Sequence, residues 1–434
     1  MNTLRKKFIP KLLLLLFALQ VPTAFATHNV SRYFPFIERT EEYIIKKRSH
    51  LTPSFFYVNA SSAHRRGGST GGIPELWGMY DLKDVIASLQ AVNPLADPIM
   101  AVTGNNALAN RSIQFRPREK VGVVGLQLNY EQDLHFAGFQ VGASLAVMNL
   151  NATMGYNFDR EHSDPIFNSI FLTERQKTEQ DLLVDKIRRV THDTIGFTSN
   201  IWNEAGFGDL DVHLRWNHIF DHVLLMRSID INAQLGAIVP TGFTSEINMP
   251  GSLSIGSNGH WGLYVDLITA LELKPDWTLG FIFGWAHLFP HTRTLQIPFN
   301  NEPAIFSSIV GRVRMKPGET FKISPFFTLG NLTDGLDFQV RYTYLRHSDD
   351  VWTDMRSDKT IQSYLQRGGD LIAQKENLSR WRAQYVTLQL TYDTKIAMKN
   401  YTCAPVLFAG YDIPIGGNGI AKAHQFTVGV ELHF

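Results

Sequence analysis

The sequence predicts an all-β fold, a transmembrane antiparallel up-and-down β-barrel of about 12 strands, with short helices in the N-terminal region and long extracellular loops. Three observations predict it. Apolar and polar residues alternate with the strand period of two through much of the chain. The alternating runs are about 10 to 15 residues long, longer than the five or six usual in a soluble sandwich. Short and long connections then alternate between the runs, as they do when every hairpin turn lies on one side of a membrane.

Composition narrows the field. The 41 Lys plus Arg are nearly balanced by 40 Asp plus Glu, which argues against a nucleic-acid partner. Hydrophobic residues at 44% and aromatics at 12% exclude a disordered chain. The 1 cysteine, Cys403, excludes a disulfide scaffold. Only one long apolar run occurs, so a helical transporter is excluded as well.

That run is an export address. Arg5, Lys6, Lys7 and Lys11 form a cationic start, Leu12 to Leu19 an apolar stretch, and Ala24-Phe25-Ala26 a small-x-small cleavage site. Residues 1–26 therefore read as a secretory signal peptide of the Sec pathway. Residues 27–50 read as a periplasmic segment or plug, and 51–434 as the barrel.

Candidate strands are 51–59, 119–130, 136–147, 207–218, 224–239, 260–273, 277–289, 319–330, 335–346, 380–393, 401–412 and 423–434. In 124–130, Val124, Leu126, Leu128 and Tyr130 share one face. In 209–217, Leu210, Val212, Leu214 and Trp216 alternate with Asp209, Asp211, His213 and Arg215. In 228–237, Ile229, Ile231, Ala233 and Leu235 alternate with Asp230, Asn232 and Gln234. In 336–343, Leu336, Phe338, Val340 and Tyr342 alternate with Asp337, Gln339 and Arg341. A membrane barrel turns the apolar face outward to lipid and the polar face into the lumen. The lumen candidates are thus Asp209, Asp211, His213, Arg215, Asp230, Asn232, Gln234, Asp337, Gln339, Arg341 and Glu431, as solute contacts or as a stiffening ion-pair lattice.

The short connections are Glu131–Leu134, Ile219–His222, Lys274–Asp276, Asn331–Gly335 and Thr394–Asn400. The principal long loops are 60–118, 148–206, 290–318 and 348–379, and 303–316 is read as loop. Gly335 supplies the positive φ of a tight hairpin and Pro275 presets another. Aromatic residues near strand ends, among them Tyr130, Trp261, Trp277 and Trp381, suit interfacial girdles. Helical spacing appears in 36–48, 81–91 and 173–190.

The chain ends with Phe426, Val428, Val430, Leu432 and Phe434 on one face. This resembles the terminal strand of bacterial outer-membrane proteins. The resemblance implies the outer membrane of a Gram-negative-type bacterium, with outer-membrane lipid and the barrel-assembly machinery as partners. A second resemblance covers roughly 206–265. Gly206-Phe-Gly-Asp-Leu210, Pro240-Thr-Gly242, Gly256-Ser257 and Trp261-Gly262 are similar to segments of the phenol meta-pathway and FadL-like outer-membrane channels. It implies passive uptake of small, often hydrophobic, solutes. The chain departs from that group in its count of 12 strands, fewer than in the FadL barrel, and in Leu95 after Asn93-Pro94.

The sequence carries no G-x-S-x-G, H-E-x-x-H or G-x-G-x-x-G motif. No catalytic residue, cofactor or metal is expected. The nearest cluster of suitable residues is His347-Ser348-Asp349-Asp350 at a strand end. The expected function is a channel or passive transporter. A plugged receptor, adhesin or structural barrel is the alternative, and a membrane-embedded hydrolase at His347 and Asp349 a third reading.

Overall fold

The computed structural model describes residues 31–34, 49–78, 80–81, 84, 114–158, 199, 201–221, 226–249, 251–297, 307, 309–355, 375–397 and 405–434. The signal peptide, the helices expected in 36–48 and 173–190, nearly all of 81–91, Asn93 to Leu95 and Cys403 lie outside them. A described 3-10 turn, Ile73–Trp77, lies within the first long connection, after the first barrel strand has begun and ended.

Twelve long strands close on themselves: β1 (His50–Ala60), β2 (Gln114–Phe136), β3 (Phe139–Phe158), β4 (Leu210–Asp221), β5 (Ser228–Val239), β6 (Gly262–Lys274), β7 (Trp277–Leu288), β8 (Thr320–Thr333), β9 (Leu336–His347), β10 (Trp381–Asp393), β11 (Val406–Asn418) and β12 (His424–His433). Each pairs antiparallel with the next, and β12 returns to β1 with Phe55 opposite Val428 and His50 opposite His433. Closure leaves no open edge, which is what a sheet needs where no water can satisfy its backbone. All twelve expected strands are present, with shifted ends.

Burial follows the alternation. In β4, Val212 and Leu214 are exposed while Asp211, His213 and Arg215 are buried. The same holds around the ring: Leu235, Val265, Leu267, Phe281, Phe283, Ile323, Val340, Leu388, Leu407 and Phe426 all face outward and exposed. Soluble proteins seldom carry apolar patches beyond a few hundred Å². A continuous apolar belt around a barrel is a lipid-facing surface. Phe136, Trp277 and Phe434 stand exposed toward one rim, here called lower, where β1 begins and β12 ends. Trp261 and Phe289 stand exposed toward the upper rim. Trp381 leaves the girdle expected of it: it is buried inside, stacked on His347 at 5.4 Å.

The lower turns are tight. Gly335 takes φ +79° and Asp276 φ +69°. The first hairpin turns at Ala137-Gly138, not at Glu131–Leu134, so Glu131 belongs to a strand and points inward. β2 and β3 also run higher than expected, to 23 and 20 residues. Above the belt their pattern inverts: Lys120, Asn149 and Asn151 are exposed, while Val121, Val123, Leu150 and Ala152 are buried. The strand keeps its register, but its outer face now meets water and its inner face packs.

Residues 303–316 are not simply loop. Ile309–Lys316 is a strand, paired with His291–Ile297 on one side and Val351–Asp354 on the other. This three-stranded sheet is separate from the barrel, so the parity of the twelve stands.

A barrel-interior apolar core fills the upper part beside β1 to β3. Phe56, Val58, Val123, Met148 and Leu150 pack there with Phe34, Ile73, Leu253 and Ile255. Phe34 belongs to residues 31–34, which sit at the upper rim, whereas Ser49 lies at the lower rim against Phe434. The described ends of the segment before β1 are therefore at opposite ends of the barrel.

Candidate solute site in the barrel interior

The lower interior is a connected polar lattice. Asp211 Oδ1 lies 2.7 Å from His213 Nδ1 and accepts from Tyr264 Oη at 2.8 Å. His213 Nε2 approaches Glu131 at 3.4 Å. Arg215 Nη1 donates to Glu131 at 2.6 Å, and its Nε and Nη2 donate to Gln234 Oε1 at 3.1 and 2.9 Å. Gln234 donates to Tyr264 at 2.6 Å. Asn217 donates to Asp230 at 2.6 Å, and Lys322 pairs with Asp266 at 3.2 Å. On the far wall Arg341 reaches Thr387 at 3.4 Å, Thr387 donates to Asp412 at 2.6 Å, and Gln339 donates to Thr328 at 2.9 Å. Asn232 is buried as well. Asp337 is half-buried at the lower turn, where it accepts from the Asn331 N–H at 2.8 Å. Glu431 pairs with His433 at 3.1 Å.

Charged groups so buried persist because each has partners. Sequence reasoning missed Glu131, Tyr264, Asp266, Lys322 and Asp412. Glu131 was placed in a turn. Asp266 and Lys322 fall on the polar phase of strands already identified, and that phase was the available signal.

Asp209 has a different role. It lies in the break between Ile201–Phe207, which pairs with upper β3, and β4, which pairs with lower β3. It is wholly buried. Its Oδ1 accepts from Gly242 N–H at 2.9 Å and its Oδ2 from Ser257 N–H. Thr241 Oγ1 donates to the Gly208 carbonyl at 2.8 Å. The segments 206–210, 240–242 and 256–257, far apart in sequence, thus meet on one carboxylate. A Cβ on Gly256 would come within 2.1 Å of Asp209 Oδ2, and that glycine sits at φ +75°, so the seat needs glycine on both counts.

Above the lattice lies a chamber with about 1180 Å³ of empty space, its open mouth included. Its walls carry Tyr33, Trp77, Trp352 and Trp381. Two cations lie against tryptophan faces: Arg32 with its Cζ 4.3 Å from the Trp77 ring centre, and Lys375 with its Nζ 4.7 Å from that of Trp352. Arg32 is anchored by donating to Gly419 O at 2.6 and 3.1 Å and to Leu378 O at 3.1 Å. Trp77 Nε1 donates to Tyr33 Oη at 2.6 Å.

His347 and Asp350 also border the chamber. His347 Nε2 lies 2.9 Å from Asp350 Oδ1, and its Nδ1 lies 2.8 Å from Thr320 Oγ1. The partner of His347 is thus Asp350 rather than Asp349, which is turned outward onto Arg380. Burial alone would raise the Asp350 carboxyl. The hydrogen bond and charge of His347 and the Gly318 N–H outweigh it and hold the group below its ordinary value. His260 is shifted down, chiefly by burial and also by nearby His291, against the pull of its bond to the Phe289 carbonyl. It is therefore neutral at pH 7. Among the described residues no group of three or more His, Cys, Asp or Glu is arranged to hold a metal ion.

No family model matches the chain, and no curated protein does. Solved structures resemble it distantly. An outer-membrane channel of Pseudomonas putida F1 is 8% identical, with a TM-score of 0.46 over 92% of this chain and 100% of that one. A deletion variant of the monoaromatic hydrocarbon channel TodX is 9% identical, with a TM-score of 0.36 over 94% and 97%. A FadL homologue of Pseudomonas aeruginosa is 7% identical, with a TM-score of 0.30 over 90% of each chain. The fold described above rests on the chain's own strand register.

Proposed function

We propose that the protein is an outer-membrane channel, a passive transporter that takes small solutes, including those with apolar bodies, into the upper chamber. One observation carries this reading: a closed barrel with a lipid-facing belt carries at its upper end a half-open chamber lined by aromatic rings and a few polar groups. The signal-like N-terminus and the apolar face of Phe426, Val428, Val430, Leu432 and Phe434 support export through the Sec pathway and insertion by the barrel-assembly machinery. Loops at the upper rim then face the cell exterior. The contribution of the lattice residues is selectivity by shape and charge, since their hydrogen bonds are already committed to one another.

The buried lattice favours a second reading, a surface receptor or adhesin with a plugged lumen. Swelling of vesicles holding the refolded protein separates the two. A channel admits small solutes at rates that fall with solute size, with little ion conductance because the lattice leaves a narrow path. A folded, inserted protein that admits no solute and passes no ions would sink the channel reading.

A further inference from the structure

Three polar atoms of residues that line the upper chamber are buried without a hydrogen-bond partner: Arg32 Nη1, Gln296 Nε2 and Trp352 Nε1. Buried polar groups in folded proteins are almost always paired, and a group that is not calls for an explanation. Arg32 and Gln296 are each over nine-tenths buried, at 6% and 8% exposure. They come from different parts of the chain, so no local distortion accounts for all three. All three can only donate. A fourth atom, His260 Nε2, is also unpartnered. With Nδ1 on the Phe289 carbonyl, it is left as an acceptor.

We infer that the chamber is a binding site for a small flat carboxylate, its anionic head taken by these donors and its body held between the tryptophans. The charges agree. Arg32 and Lys375 border the chamber, and the carboxylates that border it are Asp350, bonded to His347 and the Gly318 N–H, and Glu246, exposed at the rim. Arg32 Nη1, the nitrogen left over by the bonds to Gly419 and Leu378, carries charge-assisted donors for a carboxylate oxygen. An apolar solute of the same shape would leave all three donors unpaired, and a site built to hydrogen-bond its ligand rejects such an analogue. A hydroxyl on the ring would also satisfy His260 Nε2. The inference rests on the transporter reading and names the class of solute within it.

The test uses the full-length mature protein folded in detergent, with tryptophan fluorescence and calorimetry as readouts. Three probes share one ring: benzoate, toluene and benzylamine. Saturable benzoate binding at least tenfold tighter than either other probe is expected. Arg32→Gln and Gln296→Leu should each weaken benzoate about tenfold and leave toluene unchanged. The two residues lie on different elements, and heat-modifiable migration confirms that each variant has folded. Toluene binding as tightly as benzoate, no saturable benzoate binding, or folded variants with unchanged benzoate affinity would each overturn the site. Vesicle swelling is measured in parallel. Solute entry without benzoate selectivity rejects the site and keeps the channel. Benzoate binding without entry of any solute keeps the site and rejects the channel.

Discussion

Asp209→Asn tests whether one carboxylate holds the inward loop 241–257 against the barrel wall. The wild-type side chain accepts two backbone N–H groups, Gly242 through Oδ1 and Ser257 through Oδ2, in a pocket closed to water. Asparagine keeps the size but turns one oxygen into a donor, which then faces another donor. A hydrogen bond to a charged acceptor contributes about 1.5–3 kcal/mol. At about 1.4 kcal/mol per tenfold, local opening should become roughly 10- to 150-fold more frequent. Hydrogen exchange reads this directly, since it follows local opening amide by amide. The amides of Gly242 and Ser257 should exchange faster by that factor, while those of Leu235 and Ile268 in the neighbouring strands stay as they were. Unchanged protection at both amides would show that the loop is held by its apolar packing, Leu253 and Ile255 with Phe34, and that the carboxylate is incidental.

Three further outcomes follow from the same geometry. Arg215→Met leaves Glu131 buried with only histidine partners, so unfolding in urea should show a loss of about 3–5 kcal/mol, and adding Glu131→Gln should recover much of it. Phe283→Lys places a charge on the exposed belt; folding into lipid vesicles should cost about 2–4 kcal/mol, while a lysine at exposed Asn151, above the belt, should cost almost nothing. His260 is held neutral in the fold but gains a proton near pH 6.5 once unfolded. Its contribution to stability is thus present above that pH and lost as pH falls below it. Denaturation series at pH 7.5 and 5.5 should show a steeper loss in the wild type than in His260→Leu.

The barrel was legible in the sequence because a lipid-facing wall writes its pattern locally. Val212 and Leu214, Val340 and Tyr342, and Leu388 and Leu390 each repeat at a spacing of two. The inversion above the belt was not legible. Val121 and Val123 point inward and Val124 and Leu126 outward along one strand, and period two alone carries no label for inside or outside. The strand Ile309–Lys316 was missed because its partners lie in segments read as loops. The chamber was least legible. Arg32, Trp77, Ser257, Gln296 and Trp352 occupy no common motif, and only tertiary folding brings them to the chamber. Asp209, expected as a lumen group, proved to be enclosed by glycines that the sequence reading had already singled out for other reasons.

The anchoring of Arg32 on Gly419 ties residues far apart in the chain. These two residues are separated by 387 positions. The acceptor lies in the hairpin that joins β11 to β12. That hairpin leads into the strand that pairs with β1. Seating the N-terminal residues and sealing the barrel seam therefore draw on the same stretch of chain. A protein truncated just before residue 419 would lose its closing strand and the acceptor of Arg32 together.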